Sequence, residues 1–201
     1  MMIPVVFDNI FDSNYNRYVW HCVQGSLFKV SGTASDGDEV PEHSQYPTLY
    51  SPYTLDDVVN LGIEHQIRQS IASEFVENKR LSTAVLNLSV PGQTFYPHIH
   101  QYLANPAGGE TTIGCIYYAN LEWHREWAGE TLFYNEKQTE IQSTIEFRPN
   151  RLCIFDATQA YAFRPATNHA PLYRYTITVI FRPWDINLDT PGKLPKEGFL
   201  E

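Results

Sequence analysis

Three things are scarce in this chain of 201 residues: cysteine, positive charge and long apolar runs. The three cysteines, Cys22, Cys115 and Cys153, are far apart among apolar neighbours. They form no metal-ligand pair, and any disulfide scheme leaves one over, so buried free thiols in a reducing compartment are expected. Lys and Arg total 14 against 23 Asp and Glu, a net charge of −9, which argues against a nucleic-acid backbone as the main partner. No apolar stretch approaches the roughly 20 residues of a membrane-spanning helix. The segment MMIPVVFDNIF lacks the positive n-region of a secretory signal. The expectation is a cytoplasmic protein with no membrane partner.

What the chain has in quantity is aromatic residues, with 13 Tyr, 11 Phe and 4 Trp, joined in the second half by many Thr, Ile and Val. That mixture favours β structure, and the length suits one domain, 1–201. Residues 1–82 read as a mainly helical part. Ile3 to Phe7 is a short strand, Ser13 caps a helix that stops at Gly25, and Leu27 to Val30 is another short strand. Residues 31–53 are rich in Ser, Gly, Asp and Pro and read as a long loop, whose Tyr46, Tyr50 and Tyr53 suit either a lid or a packed surface. Thr54 caps a second helix, with Leu55, Val59, Ile63, Ile67, Ile71 and Phe75 as one apolar stripe.

From residue 83 to 184 the pattern becomes strands, punctuated by turn residues at Pro91-Gly92, Pro106 to Gly109, Asn135-Glu136 and Pro149-Asn150. Residues 185–201 are a C-terminal tail. Helices followed by about eight strands predict an α+β protein with a jelly-roll core and the N-terminal helices packed on one sheet.

Two places in the strand region carry chemistry. His98 and His100 flank Ile99 in FYPHIHQYL, and alternation along a strand sends both imidazoles to one side, as metal ligands or as surface histidines. In RYTITVIFR, Arg174, Thr176 and Thr178 share one face, and Tyr175, Ile177, Val179 and Phe181 the other. The polar face is either exposed to solvent or turned inward to meet an anion. Gly92, five residues, then H-x-H also copies the opening of a cupin metal motif, but no glutamate follows in Gln101 to Asn105.

The order of pieces resembles a known family. H-x-H is followed by IYYANLEWHREWAGETLFY, then RLCIFDATQAYAFRP, then RYT. This is similar to the 2-oxoglutarate and Fe(II)-dependent dioxygenases, in the prolyl 4-hydroxylase-like branch found in bacteria and phages. Tyr117 through Asn120, Trp127 and Gly129-Glu130-Thr131 match the family's tyrosine-leucine-asparagine, tryptophan and glycine-glycine-glutamate block.

The resemblance implies a double-stranded β-helix, Fe(II) and 2-oxoglutarate as cofactors, and hydroxylation of a peptidyl or small-molecule C–H bond. It places the metal at His98, His100 and Tyr161, although the family has an aspartate at the second position and a histidine at the third. It places the cosubstrate at Arg174 and Thr176, with Tyr96 and Tyr117 beside them. Asp156 and His169 are further candidate ligands, and His124 a residue of the barrel mouth. With two of three ligands altered, the alternative is an inactive or repurposed oxygenase-fold protein that binds a protein partner. A phage assembly component, in host cytoplasm or virion, is one form of it.

Overall fold

The computed structural model describes residues 2–27, 29–31, 48–51, 60–92, 97 and 111–184. Within these, strand β1 (Val5–Phe7) precedes helix α1 (Ser13–Gln24) and strands β2 (Lys29–Ser31) and β3 (Thr48–Ser51). Helices α2 (Ile63–Gln69) and α3 (Ser73–Val76) lead into β4 (Lys79–Ser89) and β5 (Ile113–Tyr118). After a single 3-10 turn, Arg125–Trp127, come β6 (Thr131–Tyr134), β7 (Ile141–Ile145), β8 (Arg151–Asp156), β9 (Tyr161–Phe163) and β10 (Arg174–Pro183).

The strands form two antiparallel sheets. The larger runs β1-β8-β5-β10-β4-β3-β2, and the smaller β7-β6-β9. The arrangement is α+β, a double-stranded β-helix, or jelly roll, with helices on the outer face of the larger sheet.

Burial explains why. Every residue of β5 is buried, as are nearly all of β8 and β10, so these strands have cover on both faces. Outward residues Tyr175, Ile177, Val179 and Phe181 join Leu86, Leu88, Cys115 and Tyr117 in a core with Val19, Trp20, Val23, Ile63 and Ile67 of the helices. Inward residues Ile116, Tyr118, Cys153 and Phe155 meet Phe133, Phe147, Tyr161 and Phe163. Helix α1 buries Asn16, Val19, Trp20 and Val23, the spacing of one helical face. Its dock is polar as well as apolar. The Tyr117 hydroxyl donates to Asn16 Oδ1 at 2.7 Å, and Asn150 binds Phe11 in both directions, accepting from its N–H at 3.2 Å and donating to its carbonyl at 2.7 Å.

Several local readings are corrected. Asp12, not Ser13, caps α1: its Oδ1 accepts from the N–H groups of Asn14 and Tyr15, because the carboxylate one residue earlier reaches both free donors. The second helix is not continuous. Gly62 sits at φ 70, which ends any helix arriving from residue 60, and α2 restarts at Ile63. Ser70 then turns extended, so Ile63 and Ile67 are buried while Ile71 is 73% exposed. The stretch read as a loop over 31–53 contains strand β3, paired with both β2 and β4. Of the eight strand segments, 93–103 lies almost wholly outside the described residues, and the other seven are strands β4 to β10. Residues 54–59 and the C-terminal tail also fall outside. Cys115 and Cys153 are buried free thiols as expected, pushed above the ordinary thiol range by burial, whereas Cys22 is free but only half-buried. No helix among the described residues is long and apolar enough to cross a membrane.

Three expectations follow. Gly114 lies directly opposite Phe155, whose ring occupies the space a Cβ would need. Gly114→Ala should therefore destabilise by about 1–3 kcal/mol, read as a lower urea midpoint. Ala128 has φ 56 and ψ −137, a conformation suited to glycine. Ala128→Gly should raise the midpoint, by about 1 kcal/mol, as strain is released. Asp8 receives a forked pair from Arg151, Nε–Oδ1 2.6 Å and Nη2–Oδ2 2.9 Å, and that hydrogen bonding holds its carboxyl below the usual carboxylate range. A depressed native pKa contributes stability that is present above the unfolded value, near 3.9, and lost as pH falls through the native one. The stability gap between wild type and Asp8→Asn should hold steady from about pH 7 to 5 and shrink below about pH 4.

Candidate functional site

Strand β10 is where the sequence pattern meets the geometry. Its partner strands fix its pleat: Arg174 lies opposite Ser89 of β4, and Thr176 opposite Asn87 of β4 and Tyr118 of β5. Arg174, Thr176 and Thr178 therefore point between the two sheets. Arg174 and Thr176 are 0% exposed, which excludes the solvent-facing reading of this strand face.

The guanidinium is held on several sides. Nε donates to the carbonyl of Gly129 at 2.8 Å, Nη2 to Thr131 Oγ1 at 3.2 Å and Nη1 to Thr176 Oγ1 at 3.4 Å. Rings of Phe163, Phe147 and Tyr118 stand 4.1, 5.1 and 5.7 Å from its central carbon, within cation–π range. Among the described residues no carboxylate pairs with it. Glu130, the nearest in effect, has Oε1 3.6 Å from Arg164 instead. Burial draws the Arg174 pKa down to about 10, against smaller opposing effects of Tyr118, Tyr161 and Glu130. Three contacts leave some of the five guanidinium N–H groups unused.

The backbone around Arg174 is built to hold it. Asn120, fully buried, donates from Nδ2 to the carbonyl of Tyr173 and accepts at Oδ1 from the N–H of Tyr175, both at 2.9 Å. One side chain thus grips the strand on either side of Arg174. Gly129 turns its carbonyl to Nε with φ 88, and a Cβ there would meet Trp123 at 3.1 Å and the Arg174 side chain at 3.5 Å. The Trp123 indole donates to the carbonyl of Ala128 at 2.8 Å, pinning the same turn.

The remaining expected site residues fall in three groups. His98, His100 and Tyr96 lie outside the described residues. Tyr161 is 2% exposed on β9, its ring against Phe133, Phe155 and Phe163 on the Arg174 side of the larger sheet. Tyr117 is not beside Arg174. It faces the helices, bonded to Asn16, because adjacent residues of a strand point oppositely. The tyrosine on the Arg174 side is Tyr118, whose hydroxyl is 2.7 Å from Thr131 Oγ1. Asp156 alternates away from inward-facing Phe155 and binds the N–H and hydroxyl of Thr158, so it does not serve as a site carboxylate.

His169 is exposed, and exposed His124 packs on Trp127 beside an open groove that includes Trp123, Arg125, Glu146 and Arg148. Among the described residues no group of three His, Cys, Asp or Glu side chains could hold a metal. Tyr118 and Thr131 stand inside the block matched by sequence but were not singled out as site residues; for Tyr118 the signal was parity, one strand position from Tyr117.

Comparison with known proteins bears on this site. Residues 81–182, just over half of the chain, match the family model of the 2OG-Fe(II) oxygenase superfamily. Similar folds occur in a prolyl-4-hydroxylase from Pseudomonas putida, at 13% identity over 89% of this chain and 92% of that chain, with a TM-score of 0.57. HygX from Streptomyces hygroscopicus, with nickel and 2-oxoglutarate bound, is 9% identical over 90% of this chain and 83% of its own, with a TM-score of 0.62. An oxidoreductase of the 2OG-Fe(II) oxygenase family from Burkholderia pseudomallei gives 9%, 89%, 84% and 0.63 for the same measures. At these identities the structural likeness is one of fold. The comparison with curated proteins found no match. The matched segment contains β5 through β9 and nearly all of β4 and β10, the strands around Arg174, and the chain belongs to the 2OG-Fe(II) oxygenase superfamily.

Proposed function

We propose that the protein is a 2-oxoglutarate-dependent oxygenase that hydroxylates a peptidyl or small-molecule C–H bond, with Arg174 as the cosubstrate anchor. One observation carries the reading: a fully buried guanidinium, unpaired with any described carboxylate, retains unused donors. A dicarboxylate supplies the missing partner, since carboxylate and guanidinium match in forked geometry. Thr176 adds a hydroxyl next to the anion, and Thr131 steadies the guanidinium from behind. Phe147 and Phe163 keep water away, which strengthens the pairing.

The metal is where residues and family pattern part. His98, His100 and Tyr161 are the proposed positions, and two imidazoles with a phenol include no carboxylate. The non-haem Fe(II) pattern is two imidazoles and a carboxylate, and a phenol must ionise before it can ligate. Asp156 is turned away to cap Thr158. The donor set therefore does not fit Fe(II) in the family manner. This favours a second reading, in which the fold binds a dicarboxylate and acts as a binding or structural module without turnover. A protein partner belongs to that second reading.

Turnover separates the two. Succinate formation from 2-oxoglutarate, with O2 and Fe(II), supports the oxygenase. Binding of 2-oxoglutarate with no succinate across Fe(II), Mn(II), Co(II) and Ni(II) supports the binding module. Arg174→Met, which replaces a lone buried charge by an apolar side chain of similar length, should fold and melt cooperatively. It should weaken 2-oxoglutarate binding by on the order of a hundredfold in calorimetric titration. Unchanged affinity in that variant removes the anchor from both readings.

A further inference from the structure

Ser89 is the last residue of β4 and stands directly opposite Arg174 in the antiparallel ladder. It is 1% exposed, and its hydroxyl has no hydrogen-bond partner among the described residues. Directly opposite residues of an antiparallel pair place their Cβ atoms about 5 Å apart on the same face. The Arg174 side chain and the Ser89 hydroxyl therefore leave the ladder on the same buried face, the first with N–H groups to spare and the second with no hydrogen-bond partner among the described residues. Further along the same pair, Asn87 Nδ2 donates to Thr178 Oγ1 at 3.4 Å. Buried hydroxyls are nearly always paired, so an unpartnered one on the face of a cation with spare donors asks for a third group. Both can donate, and the group that satisfies both is an acceptor with several lone pairs, which a carboxylate has.

We infer that the Ser89 hydroxyl is a further ligand-binding group, which together with Arg174 holds one carboxylate of the bound dicarboxylate. The inference rests on the cosubstrate reading of Arg174 and adds a contact from β4, across the ladder from the β10 pair of Arg174 and Thr176. With Ser89 on one strand and Thr176 on the next, the carboxylate is gripped from two directions, and its plane is fixed as well as its position.

The test is calorimetric titration of the full chain with 2-oxoglutarate, beside thermal melts without ligand, for wild type and Ser89→Ala. The variant should bind about tenfold more weakly, the effect of one hydrogen bond to a charged group. Its ligand-free melting temperature should equal or exceed that of wild type, because the hydroxyl has no partner among the described residues to lose. A lowered ligand-free melting temperature marks the hydroxyl as structural and overturns the assignment, whatever the affinity. Equal affinity in wild type and variant overturns the Ser89 contact while leaving the Arg174 anchor standing. If the wild type itself does not bind 2-oxoglutarate, the anchor and the contact fall together.

Discussion

Burying a guanidinium without a carboxylate beside it is among the more costly arrangements a fold can adopt, and among the described residues much is shaped around doing so. The Gly129 carbonyl faces Arg174 only because that residue takes φ 88. The turn before it holds Ala128 in a conformation better suited to glycine and is tied down by the Trp123 indole. Asn120 clamps the backbone on both sides of Arg174. Three aromatic rings surround the charge with the negative faces of their π-systems where water would otherwise be. Each device limits the freedom of the side chain before any ligand arrives. Such preorganisation lowers the ordering cost of binding.

The larger sheet serves two cores. Its outer face packs on α1 and α2 through large apolar residues, and its inner face meets the smaller sheet through rings and polar groups. Tyr117 and Tyr118 show the division at a single peptide bond. The first hydroxyl bonds to Asn16 of α1, and the second lies against Thr131 beside Arg174. Helix docking and the surroundings of Arg174 therefore share one stretch of backbone, and the position of α1 bears on the position of Tyr118.

The sequence made the fold legible where periodicity was strong. In RYTITVIFR, alternation of polar and apolar residues gave both faces correctly, and burial of Arg174 settled which way the polar face turned. The helix signals were weaker. The four-residue stripe ran straight through Gly62, because a lone glycine inside an apolar pattern looks tolerable until its φ is known. Strand β3 hid in a stretch of turn-forming composition, since an edge-side pairing partner is supplied by β4 rather than by local propensity. Within the site, Arg174 and Thr176 were legible because charge and hydroxyl stand two apart on a strand. Tyr118 and Thr131 were not, because parity within β5 and the turn before β6 depends on pairing across the sheet. Ser89 carried no sequence signal at all. An ordinary serine at a strand end becomes informative only once its neighbour across the ladder and its missing partner are known.

The alternation of β10 has a consequence for how this chain can change over evolutionary time. Its outward residues, Tyr175, Ile177, Val179 and Phe181, anchor the helical core, while its inward ones line the space around Arg174 between the sheets. Selection on stability and selection on reactivity therefore act on alternate positions of the same strand. Substitutions can accumulate on one set without eroding the other. A lineage can exchange the inward side chains of such a strand and still inherit an intact barrel.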